Sequence, residues 1–201
     1  MSQKKSFLQK VSDLTHIHHR AAFTDVHKRT SPKSDFLKLA ENRYSCRAFT
    51  TRKLLQTEIN QILEACRVAP TATNKQPVHV WTVKSEEALA KLKEATPYTF
   101  DAPTVFMVGC NKEEAWVRKY DGHNEAEIDA AIVGSHLMLE AADLGLGTTW
   151  VGSFDPAKIK ELFPETAGWQ IVALFPAGHP AMEPSPRHAQ RKPMEEFTSE
   201  L

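Results

Sequence analysis

Cysteine is scarce: three residues, Cys46, Cys66 and Cys110, odd in number and far apart, in a chain of 201. With no C-x-x-C, they suggest neither a disulfide framework nor a zinc site, and a reducing, cytoplasmic setting fits them best, as small buried hydrophobes. Charge of one sign is missing too. Lys plus Arg is 25 and Asp plus Glu is 25, so nothing points to nucleic acid. No apolar run approaches the roughly eighteen residues a spanning helix needs, which excludes a transmembrane segment of that kind. The usual catalytic signatures are absent: G-x-x-x-x-G-K-[ST], G-x-G-x-x-G, G-x-S-x-G and H-E-x-x-H do not occur. Gly145-Leu146-Gly147 follows a helical stretch rather than opening one, so it reads as a cap.

What is present is an ordinary globular composition, 41% hydrophobic and 25% charged, after a distinct beginning. Residues 1–34 are rich in Lys, His and Ser, with His16, His18 and His19 close together and only a weak apolar stripe. They are expected to form a flexible leader without chemistry or a metal, and residues 35–201 the functional domain.

From Asp35 the periodicity alternates. Asp35 is the expected N-cap of a short helix ending near Arg43, and Thr57 that of a second, with Ile59, Ile62, Leu63, Cys66 and Ala69 on one face. Val78–Val83, Thr104–Cys110, Thr148–Phe154 and Gln170–Ala177 read as strands, the second apolar throughout and so buried on both faces. Ser85 opens another helix, and Asp155-Pro156 caps one over 157–163. The longest helix, about Glu125 to Leu144, has a stripe of Ile128, Ala131, Ile132, Ser135, Leu139 and Ala142. Val133, Leu137 and Met138 are apolar off that stripe, so the helix is expected to be buried nearly all round, with Gly145 and Gly147 ending it. Within it, His136 is expected to be a satisfied core histidine; His123 and His179 are too distant in sequence to suggest a site with it. The order of elements predicts an α+β fold, a three-layer α/β/α sandwich, followed by a Pro-rich polar tail over 180–201.

Two segments carry chemistry. Arg43-Tyr44-Ser45-Cys46-Arg47 places two guanidinium groups and a hydroxyl just past a helix, the groups a phosphate monoester needs. Ala69–Pro77 is an amide-bearing loop between a helix and a strand, suited to a polyol or a heterocycle edge.

In this order and spacing the segments resemble a family. Glu41–Phe49 is similar to the R-x-S-x-R-x-F opening of the FMN-dependent nitroreductases, and Ala69–Pro77 to their A-P-[ST]-x-x-N-x-Q-P loop. Asp129–Phe154 resembles the central dimer helix with its flavin-edge segment, and Pro184–Phe197 the C-terminal end of compact members. The resemblance covers residues 35–201. It implies a nitroreductase-like mixed sheet flanked by helices, and a homodimer with FMN in clefts between subunits. By motif position, Arg43, Ser45 and Arg191 are the implied phosphate contacts, with Tyr44 near the ribityl chain. Arg47 would lie at the pyrimidine edge, where reduction places negative charge.

Thr71, Thr73 and Asn74 would come from the partner subunit, with Gln76 holding their loop. The backbone of Trp150, Val151, Gly152 and Ser153 would meet the flavin, a main-chain N–H of Gly152 or Ser153 contacting N5. Ser153 replaces a glycine common in the family. Trp116, Tyr120 and His123 fall where members vary most and are candidates for the substrate cleft. The implied reaction is ping-pong: NAD(P)H reduces FMN, then a nitroaromatic, quinone or related electron-poor acceptor takes the electrons, with no protein acid–base residue needed. The same fold also admits enone reduction, reductive dehalogenation or flavin binding without turnover.

Overall fold

The computed structural model describes residues 32–201. The chain divides at Asp35/Phe36, and the unit described below is Phe36–Leu201; the first unit, with the expected leader and His16, His18 and His19, lies almost wholly outside the described residues.

The elements in order are α1 (Asp35–Asn42), α2 (Gln56–Arg67), β1 (Val78–Val83), α3 (Glu86–Ala95), β2 (Thr104–Cys110), α4 (Ala126–Asp143), β3 (Gly147–Thr148), α5 (Pro156–Leu162), β4 (Gln170–Gly178) and α6 (Met194–Phe197). The sheet runs β1-β2-β4-β3, every neighbouring pair antiparallel. Among the described residues its parallel component is a single bridge, Ser45 to Thr148, beside β3.

Strand alternation separates two cores. Phe106, Val108 and Cys110 of β2, with Ala173, Phe175 and Ala177 of β4, face Ile59, Ile62 and Cys66 of α2 and Val133 and Leu137 of α4. Val105 and Met107, with Ile171 and Leu174, face the other way onto Leu92 and Ala95 of α3 and Ile159 of α5. A central strand with residues buried on both faces is what a three-layer sandwich requires, and β2 is buried along its whole length. All three cysteines are free and buried.

Several boundaries differ from the sequence expectation for identifiable reasons. Thr57 does not cap α2: the N-cap is Leu55, whose N–H donates to the Glu58 carboxylate at 2.6 Å, and Thr57 falls inside. Ser85 and Asp155 cap as expected, Asp155 accepting from both Ala157 and Lys158.

The strand expected over Thr148–Phe154 is only Gly147–Thr148, resuming as one bridge between Val151 and Leu174. In that register Thr149 stands opposite Pro176, which has no N–H to give, so the ladder breaks there.

The central helix α4, expected to be buried nearly all round, is buried along one face. Ala126, Ala130, Val133, Leu137 and Ala141 turn inward, whereas the stripe read from sequence turns outward: Ile128 is 46% exposed, Ser135 is exposed, and Ile132 and Leu139 are half-buried. Both faces are apolar, and one chain covers only one of them. His136 is half-buried, its Nδ1–H donating to the Ile132 carbonyl at 2.9 Å. Gly145, at φ 73°, ends α4 in a full Schellman turn, its N–H bonding Ala142 and that of Leu146 bonding Ala141. Gly147 serves a different purpose from the stop expected of it. A Cβ there would lie 2.7 Å from Cys46 Cβ and Sγ, so β3 and the 43–47 segment meet only because it is glycine.

Candidate functional site

The segment after α1 is extended and lies along β3. The Cys46 N–H donates to the Thr148 carbonyl at 2.9 Å, and Cys46 points into the core. Residues of an extended segment alternate in direction, so Arg43, Ser45 and Arg47 fall on the side opposite Cys46. The C-terminal tail then returns across them. Thr50 donates to the His179 carbonyl and Ala181 to the Ala48 carbonyl, and Phe49 bridges Pro180.

Beyond these bonds the tail turns through a 3-10 segment, Pro186–Ala189, and closes a cleft of about 550 Å³ lined by Arg43, Tyr44, Ser45, Arg47, Ser185, Arg187, His188 and Arg191. Four of these eight residues are arginines and none is a carboxylate. No described acidic residue forms an ion pair with any of the four.

The electrostatics of the cleft follow from that imbalance. Burial, then the charge of Arg191, pushes the Arg43 guanidinium below its ordinary value. Two cations are thus held near one another without a counter-ion, which only an anion would relieve. Arg191 is steered by donating through Nη1 to the carbonyls of His188 and Gln190. The His188 ring bonds the Glu41 carbonyl at 2.7 Å, tying tail to α1. Burial first, then the Cys46 thiol, raises the Tyr44 phenol, which stays a donor and bonds the Met182 carbonyl at 2.7 Å.

Arg47 also lines a second hollow, about 200 Å³, with Tyr98, Phe100 and the run Thr149–Ser153. Two reciprocal bonds between Val151 and Leu174 fix that run. Trp150 packs edge-on against Phe175, and the buried Thr96 hydroxyl donates to the Ser153 carbonyl at 2.7 Å. Gly152 and Ser153 are exposed, and no described residue accepts from their N–H groups. Arg47 therefore joins an anion-seeking cleft to a hollow with aromatic walls and free backbone donors.

The remaining candidates lie elsewhere. Thr73, Asn74 and Gln76 have φ of 50°, 56° and 54°, left-handed values unusual for non-glycine residues. The loop holds this shape through Gln76 N–H to Thr71 Oγ1 at 3.0 Å and the Gln76 side-chain amide to Asn74 Oδ1 at 3.1 Å. It lines neither cleft of its own chain; Thr71 and Gln76 border a separate cavity of about 230 Å³ with Val133 of α4. Nor does the structure bring Trp116, Tyr120 and His123 to the arginine cleft. They sit on a turn held by the bonds from Arg118 N–H to the His123 carbonyl and from Glu125 N–H to the Trp116 carbonyl, with Tyr120 98% exposed. Sequence reasoning passed over Ser185, Arg187, His188, Tyr98 and Phe100. The first three lie in Pro184–Phe197, of which the resemblance assigned only Arg191 to the site.

A group fitting both spaces carries a phosphate monoester at one end and a planar ring with hydrogen-bond acceptors at the other, joined by a short chain. The donor set fits FMN on these terms.

Comparison with known proteins agrees. The family model for the Nitroreductase family matches residues 40–98 and 96–179. A relative from Methanothermobacter thermautotrophicus, named as an NADH dehydrogenase/NAD(P)H nitroreductase, is 30% identical over 162 residues, covering 77% of this chain and 82% of its own. The crystal structure of a nitroreductase family protein from Clostridium difficile 630 superposes with a TM-score of 0.77 at 34% identity, over 83% of this chain and 98% of that one. A structure from Desulfovibrio desulfuricans, described as a nitroreductase in complex with FMN, shares the fold with a TM-score of 0.71 at 24% identity, over 85% and 98%. By these matches the chain belongs to the nitroreductase family.

Proposed function

We propose that this chain is an FMN-dependent oxidoreductase that uses NAD(P)H to reduce nitroaromatics, quinones or related electron-poor acceptors in a ping-pong cycle, as a homodimer. The observation that carries the reading is the joined site: Arg43, Ser45 and Arg191 at one end, and at the other the N–H groups of Gly152 and Ser153, which no described residue accepts, with Arg47 between.

Arg43, Ser45 and Arg191 hold the phosphate, and Tyr44 borders the chain that follows it. Arg47 offers a cation at the pyrimidine edge, where reduction builds negative charge. The Trp150–Ser153 backbone orients the ring by main-chain donors that need no reorganisation when charge develops. Bound there, FMN supplies two-electron redox chemistry between the nicotinamide and the acceptor, so the protein itself needs no nucleophile or acid–base pair. Thr71, Thr73 and Asn74, which reach neither space in their own chain, complete the cleft of the other subunit, with Gln76 as their brace. The outward apolar face of α4 supplies the contact between subunits. Free, buried cysteines suit a cytoplasmic enzyme.

The test is spectroscopic. The purified protein should be yellow, should bleach anaerobically on titration with NADPH or NADH, and should regain its colour with a quinone or nitroaromatic. A colourless protein that takes up no FMN would overturn this reading.

A further inference from the structure

The arginine cleft holds two sets of anion donors, not one. Arg43 and Ser45 stand two residues apart after α1, and Ser185 and Arg187 stand two residues apart in the returning tail; all four line the same space. The first set is coupled to Arg191, whose charge Arg43 feels. Arg43, Ser45 and Arg191 already suffice for one phosphate monoester, whose dianion two guanidinium groups balance. Arg47 is committed to the neighbouring hollow, which it also lines, and its Nη1 leans on the Ser45 carbonyl at 3.4 Å. Nothing described occupies the other set. Arg187 has no ion pair or side-chain hydrogen bond among the described residues, and the Ser185 hydroxyl has no partner there either. His188 is excluded as a third member because its ring is bound to the Glu41 carbonyl. A cleft of about 550 Å³ also has far more room than one phosphate ester fills.

An arginine without an ion pair among the described residues, lining with a hydroxyl the cleft already served for its first phosphate, calls for a second dianion on a molecule that visits the same site. We propose that Ser185 and Arg187 form a second phosphate-monoester subsite, which receives the 2′-phosphate of the electron donor and makes the enzyme prefer NADPH to NADH. The inference rests on the FMN-dependent reading above. Of the two donors only NADPH carries a monoester phosphate; the pyrophosphate common to both has one charge per phosphorus and does not discriminate.

The experiment compares holoenzyme and its Arg187→Gln variant in three measurements: FMN affinity by flavin fluorescence, binding of NADP+ against NAD+ by calorimetry, and kcat/KM for each reduced nicotinamide. Wild type should favour NADPH at least tenfold and bind NADP+ more tightly than NAD+. In the variant both preferences should shrink by roughly ten- to a hundred-fold, the value of one charge-assisted bond, while FMN affinity changes less than threefold. Equal use of NADPH and NADH by wild type would overturn the second subsite and leave the flavin reading standing. So would an FMN affinity that falls with Arg187, which would assign that arginine to the cofactor. Failure of the wild-type protein to bind FMN at all would instead remove the reading beneath it.

Discussion

Asp129, on the central helix, holds Ala72, on the loop 57 residues before it: Oδ1 accepts the Ala72 N–H at 2.8 Å. The carboxylate is 1% exposed and its Oδ2 has no partner among the described residues. This bond anchors the three residues held in left-handed conformation, each of which costs about 1–2 kcal/mol relative to relaxed backbone.

Removing the anchor should free the loop. Asp129→Ala leaves the Ala72 N–H without its acceptor, a loss of about 1–3 kcal/mol, whereas Asp129→Asn keeps an oxygen to accept it. Hydrogen exchange at Ala72 should accelerate in the alanine variant and stay slow in the asparagine one. Equal exchange in all three proteins would show that the loop holds itself.

Burial pushes the Cys66 thiol up to about 12, and Cys110 upward by the same cause. Thiolate is the reactive form, so native protein at pH 8 should resist alkylation at both residues and react only once unfolded. The sign for stability follows. An unfolded Cys66 loses its proton near its ordinary value of ~8.5 while the folded one keeps it, so stability declines as pH rises from there toward 12. Rapid native labelling of Cys66 would contradict its burial.

How far the chain could be read without coordinates depended on whether the deciding contact was local. Arg43, Ser45 and Arg47 could be grouped from sequence because they fall within five residues of one another, and they line one cleft; Asp155-Pro156 was legible because capping is a local property. The strand at Thr148–Phe154 was overread because its interruption comes from Pro176, a residue opposite rather than adjacent. The burial expected all round α4 is met on one face alone, because both its faces are apolar and one chain covers only one of them. Ser185 and Arg187 were passed over for a similar reason. Contacts between residues far apart in sequence, Ala181 with Ala48 and His188 with Glu41 among them, bring the tail back over the cleft.

Arg191→Ala should weaken FMN binding. It removes one charge-assisted phosphate bond, about 1.5–3 kcal/mol, or roughly ten- to a hundred-fold in affinity. It should also relieve the pressure on Arg43 that its charge exerts. Flavin retained on dilution as well as in wild type would take Arg191 out of the phosphate site.

Every candidate residue lies between Arg43 and Arg191, inside the unit Phe36–Leu201. A chain beginning at Ser34 should therefore fold, dimerise and bind FMN as the full one does. Loss of flavin or of the dimer on truncation would make the preceding residues part of the working fold.

Dimerisation and flavin binding should be one event. Arg43, Ser45 and Arg191 line a cleft in one chain, while the Thr71–Asn74 loop of that chain lines neither that cleft nor the hollow beside it. The outward stripe of α4, with Ile128 46% exposed and Ile132 and Leu139 half-buried, is the surface a second copy would cover. Each Leu, Ile or Met fully buried there contributes about 1.5–3 kcal/mol. Leu139→Asp replaces such a contribution with a carboxylate that the contact would bury unpaired, so its effect should be severe. In a lone chain the same carboxylate stays partly in water, so the subunit itself should remain folded by circular dichroism. The variant should lose the dimer and the yellow colour together, read by light scattering with in-line absorbance. A folded monomer that still carries stoichiometric FMN would show that one chain makes the whole site.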